Sequence, residues 1–481
     1  MPPGGEPRPR SGGWVTLRLS RRDDERMDTT PRPEGHRPSL HETPPRRLGA
    51  FTGVAIVVGI VIGSGIFRVP AITAQHLPAM GWILAVWAVG GLISLAGALS
   101  VGELAAMYPE AGGVYVYLRE AFGPGAAFVF GWMWLITSPA SWAAQALVFS
   151  EYLTSVVHLP GGAPAYVAAA LVICVSVLQY VSVTGGAIVQ NSSMVAKLGA
   201  IFVLSLVLFA FGHVTAPAHA AAGATAGGIG VGGFAVALIA VLWAYDGWEN
   251  LTALSGEIRR PGRNLPLALI LGTVLVVVTY LLVNAAFLHV LTPGQIASAP
   301  SVAVAALGTV AGQAAQAFIA ALVMVSVIGS LNGSTMSDPR VFFAMAEDDL
   351  FFASVGKLHR RFRTPHVAIA MTAAITLVFI FWRSFQQLAE AYVLGVWPFL
   401  ALATVGLFLL RRRRPQAERP YRALGYPLVP ALFVAAAVGV MVFALVETPV
   451  DAGISFGLTL FGIPLYLAWR FYRRRNPAPD S

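Results

Sequence analysis

The chain has 481 residues, of which 56% are hydrophobic and only 11% charged, whereas a soluble domain carries about 25% charged residues. Its apolar runs of roughly 20 residues are long enough to cross about 30 Å at about 1.5 Å per residue, which excludes an ordinary soluble fold and predicts a polytopic membrane protein. The net charge of +9 invites a nucleic-acid reading, but ten of the 32 Lys and Arg lie within residues 1–47 and most of the rest sit at the ends of apolar runs, the distribution expected of the positive-inside rule.

Residues 1–47 are polar and rich in Pro, Gly and Arg, and predict a disordered tail. No apolar h-region follows their charges, so they do not read as a secretory signal. Met27 is a second candidate start, one that leaves residues 1–26 outside the native protein. Twelve spans follow. The first six fall near 49–72, 80–107, 125–157, 163–183, 189–211 and 232–256. The second six fall near 264–290, 309–344, 365–382, 386–410, 424–446 and 452–472. One set of loops holds Arg119, then Arg259, Arg260 and Arg263, then Lys357, Arg360, Arg361 and Arg363, then Arg411 to Arg414 with Arg419 and Arg422; the other holds Arg383. The basic set should be cytoplasmic, and an even span count puts both termini with it. Cys174, the single cysteine, cannot form an intrachain disulfide, and the nine histidines show no metal-ligand spacing. No metal or cofactor is expected. No nucleophile–base pair or phosphate loop appears, so the chain does not read as an enzyme.

The first span contains Gly63-Ser64-Gly65-Ile66-Phe67 at bilayer depth. Two glycines and a serine weaken a helix there, and a broken helix is tolerated in a bilayer only where its freed backbone meets protein or a cavity. The sixth span carries a second interruption, Leu242-Trp243-Ala244-Tyr245-Asp246-Gly247-Trp248-Glu249, with two acids whose placement at a helix centre costs about 2.5–3.5 kcal/mol each. Paired breaks at matched places in two halves point to an inverted-repeat transporter with its site at the midplane. The expected fold is thus all-α, with twelve transmembrane helices, a five-plus-five inverted repeat and broken helices one and six. Repeat one covers 48–212, repeat two 232–411, and accessory helices 423–472, within a transporter domain of 48–475. The alternatives are a small-residue packing patch for the first break and an interfacial helix cap for Asp246 or Glu249.

A half-helix starting at Ser64-Gly65-Ile66 exposes N–H groups and the positive end of a dipole, which suit an anion. Half-helices ending at Ile62 and at Trp243-Ala244 expose carbonyls, which suit an ammonium group. Facing each other, the two predict a zwitterion: an amino acid held by its α-carboxylate and α-amine, with Gly63 and Gly65 permitting close approach. Lys197, in the otherwise apolar fifth span, is a functional candidate by its cost; snorkelling to the interface is its alternative. Tyr280 and Asn284 lie one turn apart in span seven. Tyr280 is a candidate to hydrogen-bond the first break, and Asn284 to join helices. Asn332 in span eight is a candidate for substrate contact or for supporting Lys197. Glu103 and Glu257 read either as gate or loop anchors or as solvated helix ends.

These residues resemble the amino acid–polyamine–organocation superfamily. The resemblance is carried by Gly63 to Phe67, by Pro109-Glu110-Ala111-Gly112-Gly113 with Tyr115 and Tyr117, and by Leu118 to Gly123. Ala244 to Trp248, Gly256-Glu257-Ile258, Pro261 to Pro266, Asn332-Gly333-Ser334 with Arg340, Ala344-Met345-Ala346, Phe351-Phe352 and Thr364-Pro365 look like its L-type amino acid transporter branch. The resemblance implies a LeuT-like fold and sodium-independent exchange of neutral L-amino acids across the plasma (inner) membrane; a proton-coupled amino acid or polyamine symporter is the competing reading. It implies that the backbone of Ser64, Gly65 and Ile66 receives the carboxylate, and that carbonyls near Ile62, Trp243 and Ala244 receive the amine. Tyr245, Asp246 and Gly247 complete the site, Trp243 gates it, and Lys197 bridges spans one and eight in place of a sodium ion, with Tyr280 and Asn332 as helpers. Tryptophan at 243 is larger than the phenylalanine common in the animal branch, and Asp246 is uncommon there, which narrows the pocket or favours polar substrates. Animal members join a heavy chain through a cysteine between spans three and four. Here that loop, His158 to Pro164, has no cysteine, so no disulfide-linked heavy chain is expected.

Overall fold

The computed structural model describes residues 44–157, 160–212, 231–382, 385–447 and 449–475. The expected tail, apart from residues 44–47, lies outside the described residues, as do Arg383 and residues 158 and 159 of the loop after span three.

The described chain is helical, and its one β-bridge pairs Leu48 with Ile258 in parallel. The first span is two helices, α1 (Ala50–Val61) and α2 (Gly65–His76), bent by 46° across the glycine cluster. Then come α3 (Met80–Met107), the short α4 (Val114–Phe122), α5 (Pro124–Thr154), α6 (Ala163–Val181) and α7 (Val183–Phe211). The second interruption separates α8 (Val231–Ala244) from a 3-10 half-helix, Trp248–Glu257. After it run α9 (Pro261–Val290), α10 (Pro293–Ser298), α11 (Val302–Ala311), α12 (Ala314–Ser337) and α13 (Pro339–Glu347). The chain closes with α14 (His366–Trp382), α15 (Phe385–Arg413), α16 (Leu428–Glu447) and α17 (Pro449–Arg475).

Among the described residues, eight helices are long and apolar enough to cross a membrane, or nine if the bent pair α1 and α2 is one span. The stretches expected as spans three, six and nine are α5, α8 with the 3-10 half-helix, and α14. They are helical, but α8 and α14 are short, with 14 and 17 residues, and α5 is diluted by polar residues such as Ser141, Gln145 and Glu151.

Local chemistry explains several boundaries. Span five starts at Val183, six residues before the expected 189, because Ser182 accepts a hydrogen bond from Gly185 N–H and caps the helix over a polar, glycine-containing stretch. Lys197 therefore lies mid-helix. Pro339 occupies the first turn of α13, where its missing N–H costs nothing, so helix resumes directly after α12.

Packing places both breaks in the centre. The first half-helix, α1, packs on α7, α9, α12 and the 3-10 half-helix, while α2 packs on α8 and α10. Each break is thus enclosed by the other and by long neighbours, which is where freed backbone can be satisfied away from lipid.

Candidate functional site

The α1 carbonyls freed at the first break are met by side chains. Lys197 Nζ, fully buried, donates to Gly59 O at 2.9 Å, Ile62 O at 2.8 Å and Ser326 O at 2.9 Å, joining α7 to α1 and α12. Ser326 Oγ donates to Ile62 O and Ser330 Oγ to Ile60 O, both at 2.8 Å. Tyr280 OH donates to Val61 O at 2.9 Å and reaches Ala244 O at 3.0 Å, tying one break to the other. Its ring sits in a buried cluster with Trp87 and Tyr245, centroids 5.0–5.9 Å apart.

The donor side of the break is open. No side chain caps α2, and its first backbone closure is Phe67 N–H to Ser64 O at 3.2 Å. The N–H groups of Ser64, Gly65 and Ile66 precede any intrahelical acceptor. Space at Gly65 is tight: a Cβ there would lie 3.1 Å from Ala244 Cα and 3.4 Å from the Trp243 ring. Gly247 is required by backbone, with φ +99° at the start of the 3-10 half-helix, a region that L side chains avoid.

Between the breaks lies a cavity of about 80 Å³. Of the expected site residues, Gly63, Ser64, Gly65, Trp243, Ala244, Asp246 and Gly247 form its wall. Ile62, Ile66 and Tyr245 belong to the breaks but stand outside that wall. The Ile62 carbonyl has both lone pairs engaged, by Lys197 and Ser326; the Trp243 carbonyl accepts from Asp246 N–H at 3.3 Å and that of Ala244 from Tyr280 OH at 3.0 Å. Asn332 also stands apart from the cavity. It donates to Gly186 O and Gln190 Oε1 and accepts from Gln179 Nε2, so it locks α6, α7 and α12 together. Asn284 bonds back to Tyr280 O within its own helix.

Sequence reasoning missed Ile60, Val61, Ser141, Ala144, Gln145, Asn250, Ser330 and Ser334 in the cavity wall. A signal for two of them existed: Ser326, Ser330 and Ser334 recur every four residues along an apolar helix and so share one face.

On the Leu48 side of the cavity the chain is sealed. Leu48 N–H donates to Glu257 O at 3.0 Å and Arg259 N–H to Leu48 O at 2.8 Å. Arg340 Nε donates to Glu257 Oε1 at 2.9 Å, with both side chains buried. Further out, Arg119 bridges Asp348 and Glu110, and Tyr115 donates to Asp348. Burial and the Asp348 carboxylate push the Tyr115 phenol up. Burial opposes the Arg119 charge, but Asp348 and Glu110 outweigh it and hold the guanidinium protonated. Arg473 pairs with Asp349 next door, so both described ends of the chain are tied to this one group of contacts. Glu103, buried, is held by Arg411 and Arg419. On the opposite side, α2 meets α5 through Arg68 and Glu151, both partly exposed.

The amino acid permease family profile matches residues 48–469. The serine/threonine exchanger SteT of Bacillus subtilis is 31% identical over 425 residues, 88% of this chain and 96% of its own length. The rabbit (Oryctolagus cuniculus) b(0,+)-type amino acid transporter 1 is 33% identical over 85% of this chain and 83% of its own. The human cystine/glutamate transporter is 29% identical over 88% of this chain and 84% of its own. With two interrupted helices enclosing a polar cavity, and that match over nearly the whole described chain, the protein belongs to the amino acid permease family of the amino acid–polyamine–organocation superfamily, in its L-type branch, and is a membrane amino acid transporter rather than an enzyme.

Proposed function

We propose that this chain carries small neutral L-amino acids across the plasma membrane by sodium-independent exchange, using alternating access. The observation that carries the reading is the juxtaposition across one cavity of the open N–H groups at Ser64, Gly65 and Ile66 and the carbonyls of Trp243 and Ala244. The first receives an α-carboxylate by dipole and hydrogen bond; the second receives an α-amine. The small volume of the cavity, about 80 Å³, supports a small side chain. The polar part of its wall, Ser141, Gln145, Asp246, Asn250, Ser330 and Ser334, supports a polar one beside the apolar Ile60, Val61 and Ala144. The relative named a serine/threonine exchanger agrees with that size and polarity.

Twelve spans in a five-plus-five inverted repeat, 48–212 and 232–411 with accessory helices 423–472, form the frame of this reading. Trp243 closes over the substrate. Lys197 occupies with its ammonium the place a sodium ion would need, which supports sodium independence. The basic loops face the cytoplasm with both termini, so the sealed Leu48 side is the cytoplasmic one. Cys174 lies exposed on α6, away from the loop that would hold a heavy chain, so the transporter works without a disulfide-linked partner.

The test is uptake of a panel of labelled amino acids into proteoliposomes, either loaded with unlabelled amino acid or empty, with and without sodium. Uptake confined to loaded vesicles and indifferent to sodium is expected. Strong uptake into empty vesicles would replace exchange by uniport or proton symport, and flux far above carrier rates would replace the carrier by a channel.

A further inference from the structure

Glu249 lies in the first turn of the 3-10 half-helix, 2% exposed, and neither carboxyl oxygen meets a hydrogen-bond donor. It does not cap the half-helix: Gly247 holds that position without any side-chain bond. The backbone amides of Gly247 and Glu249 face the carboxyl but fall outside hydrogen-bond geometry. Its charged neighbours are Asp246 and Asp338, both acids. Asp338 accepts from three donors, Trp142 Nε1 at 2.7 Å, Ser337 Oγ at 2.9 Å and Asn250 Nδ2 at 3.4 Å. Glu249 has no such shell.

A second observation stands beside it. Asn250 is 5% exposed, forms part of the cavity wall, and its Oδ1 finds no donor. The unmet oxygens of Glu249 and Asn250 are all acceptors; what they lack is hydrogen. Among the described residues, the helices packed on the half-helix bring one cation near it, Arg340 of α13, and that one is paired with Glu257. On α1 there is no titratable side chain. From α9, Tyr280 OH is committed to the two breaks. From α3, Glu103 is held by Arg411 and Arg419. From α4 comes the phenol of Tyr117, and from α13 comes Arg340, whose Nε is engaged by Glu257 at the far end of the half-helix. An ionised carboxylate enclosed among other acids costs several kcal/mol; the neutral acid avoids that cost.

We propose that Glu249 is a proton-binding site of the transport cycle. The carboxylic acid O–H is kept while the half-helix is packed against α1 and α12. It breaks when the Leu48 side opens, the proton passing to entering water and leaving a hydrated carboxylate; closure reverses the step. This rests on the reading that the chain exchanges amino acids by alternating access.

The test is exchange in proteoliposomes holding the same amino acid on both sides, at equal internal and external pH from 5 to 9, for the wild type and Glu249→Gln. Closure requires the protonated acid, so wild-type exchange should fall as pH rises, by up to about tenfold per unit as one proton dictates. The Gln variant, permanently neutral, should exchange without that alkaline fall. A flat wild-type profile, or the same fall in the variant, overturns the proton site while leaving exchange intact. If the Gln variant exchanges at no pH, Glu249→Asp decides: a fall displaced along the pH axis supports the site, and an unmoved one overturns it. Wild type that exchanges no amino acid at any pH removes the transport reading and this proposal together.

Discussion

The two sides of the cavity are closed by different means. Toward Leu48, the half-helices α1 and Trp248–Glu257 are joined by backbone bonds and pinned by the Arg340–Glu257 pair, in which both side chains are buried. Toward α2, the polar ties are an exposed Gln75 Nε2 bond to Ala297 O at 3.0 Å and the pair of Arg68 and Glu151, which are 33% and 49% exposed. A buried pair is costly to break from one end, because the remaining charge is stranded; an exposed pair is screened by water and contributes little. The difference teaches which side is shut: the arrangement described here is locked toward Leu48 and loosely latched toward α2.

That contrast can be broken at its strongest point. Arg340→Ala should strand Glu257 and cost about 3–5 kcal/mol, read as a large fall in melting temperature with new labelling of residues on the Leu48 side. Lys197→Ala should come next. It removes an ammonium bonded to three carbonyls, each such bond contributing about 1.5–3 kcal/mol, and should lower exchange at least tenfold; unchanged rate and affinity would refute the bridging role. Tyr280→Phe removes the one O–H that Val61 O and Ala244 O share, about 1 kcal/mol, and should lower exchange several-fold while the Trp87–Tyr245 ring cluster stays packed. Arg68→Gln should cost about 0–1 kcal/mol, with little change in melting temperature, and measurably faster opening on that side.

Parts of this arrangement were legible in the sequence because they offend local rules. Gly63 and Gly65 at bilayer depth announced the first break, and Lys197 announced itself by its cost in an apolar helix. The second break was legible from Asp246-Gly247, but not that its continuation is a 3-10 helix. That depends on closures such as Asn250 N–H to Gly247 O and Ile258 N–H to Ser255 O, made under packing from α1, α9 and α12. The place of Lys197 along its helix shifts because span five was expected to start at 189, whereas Ser182 caps a helix that starts at Val183. Asn332 was assigned to substrate or to Lys197 on chemistry alone; its partners, Gln179, Gln190 and Gly186, come from other helices that no spacing within span eight reveals. Asp338 escaped notice for the same reason, since its donors Trp142 and Asn250 are 196 and 88 residues away.

The central claim is that the cavity between the breaks is where the amino acid sits. Equilibrium binding of radiolabelled L-serine and L-threonine to purified wild type, Gly65→Ala and Gly199→Ala tests it most directly. A Cβ at Gly65 intrudes on Ala244 and Trp243, whereas one at Gly199 meets nothing within 4 Å. Overpacking of about 1–3 kcal/mol should weaken binding in Gly65→Ala by about fivefold or more, with Gly199→Ala matching the wild type. Equal affinity in all three proteins would place the substrate elsewhere and contradict the account.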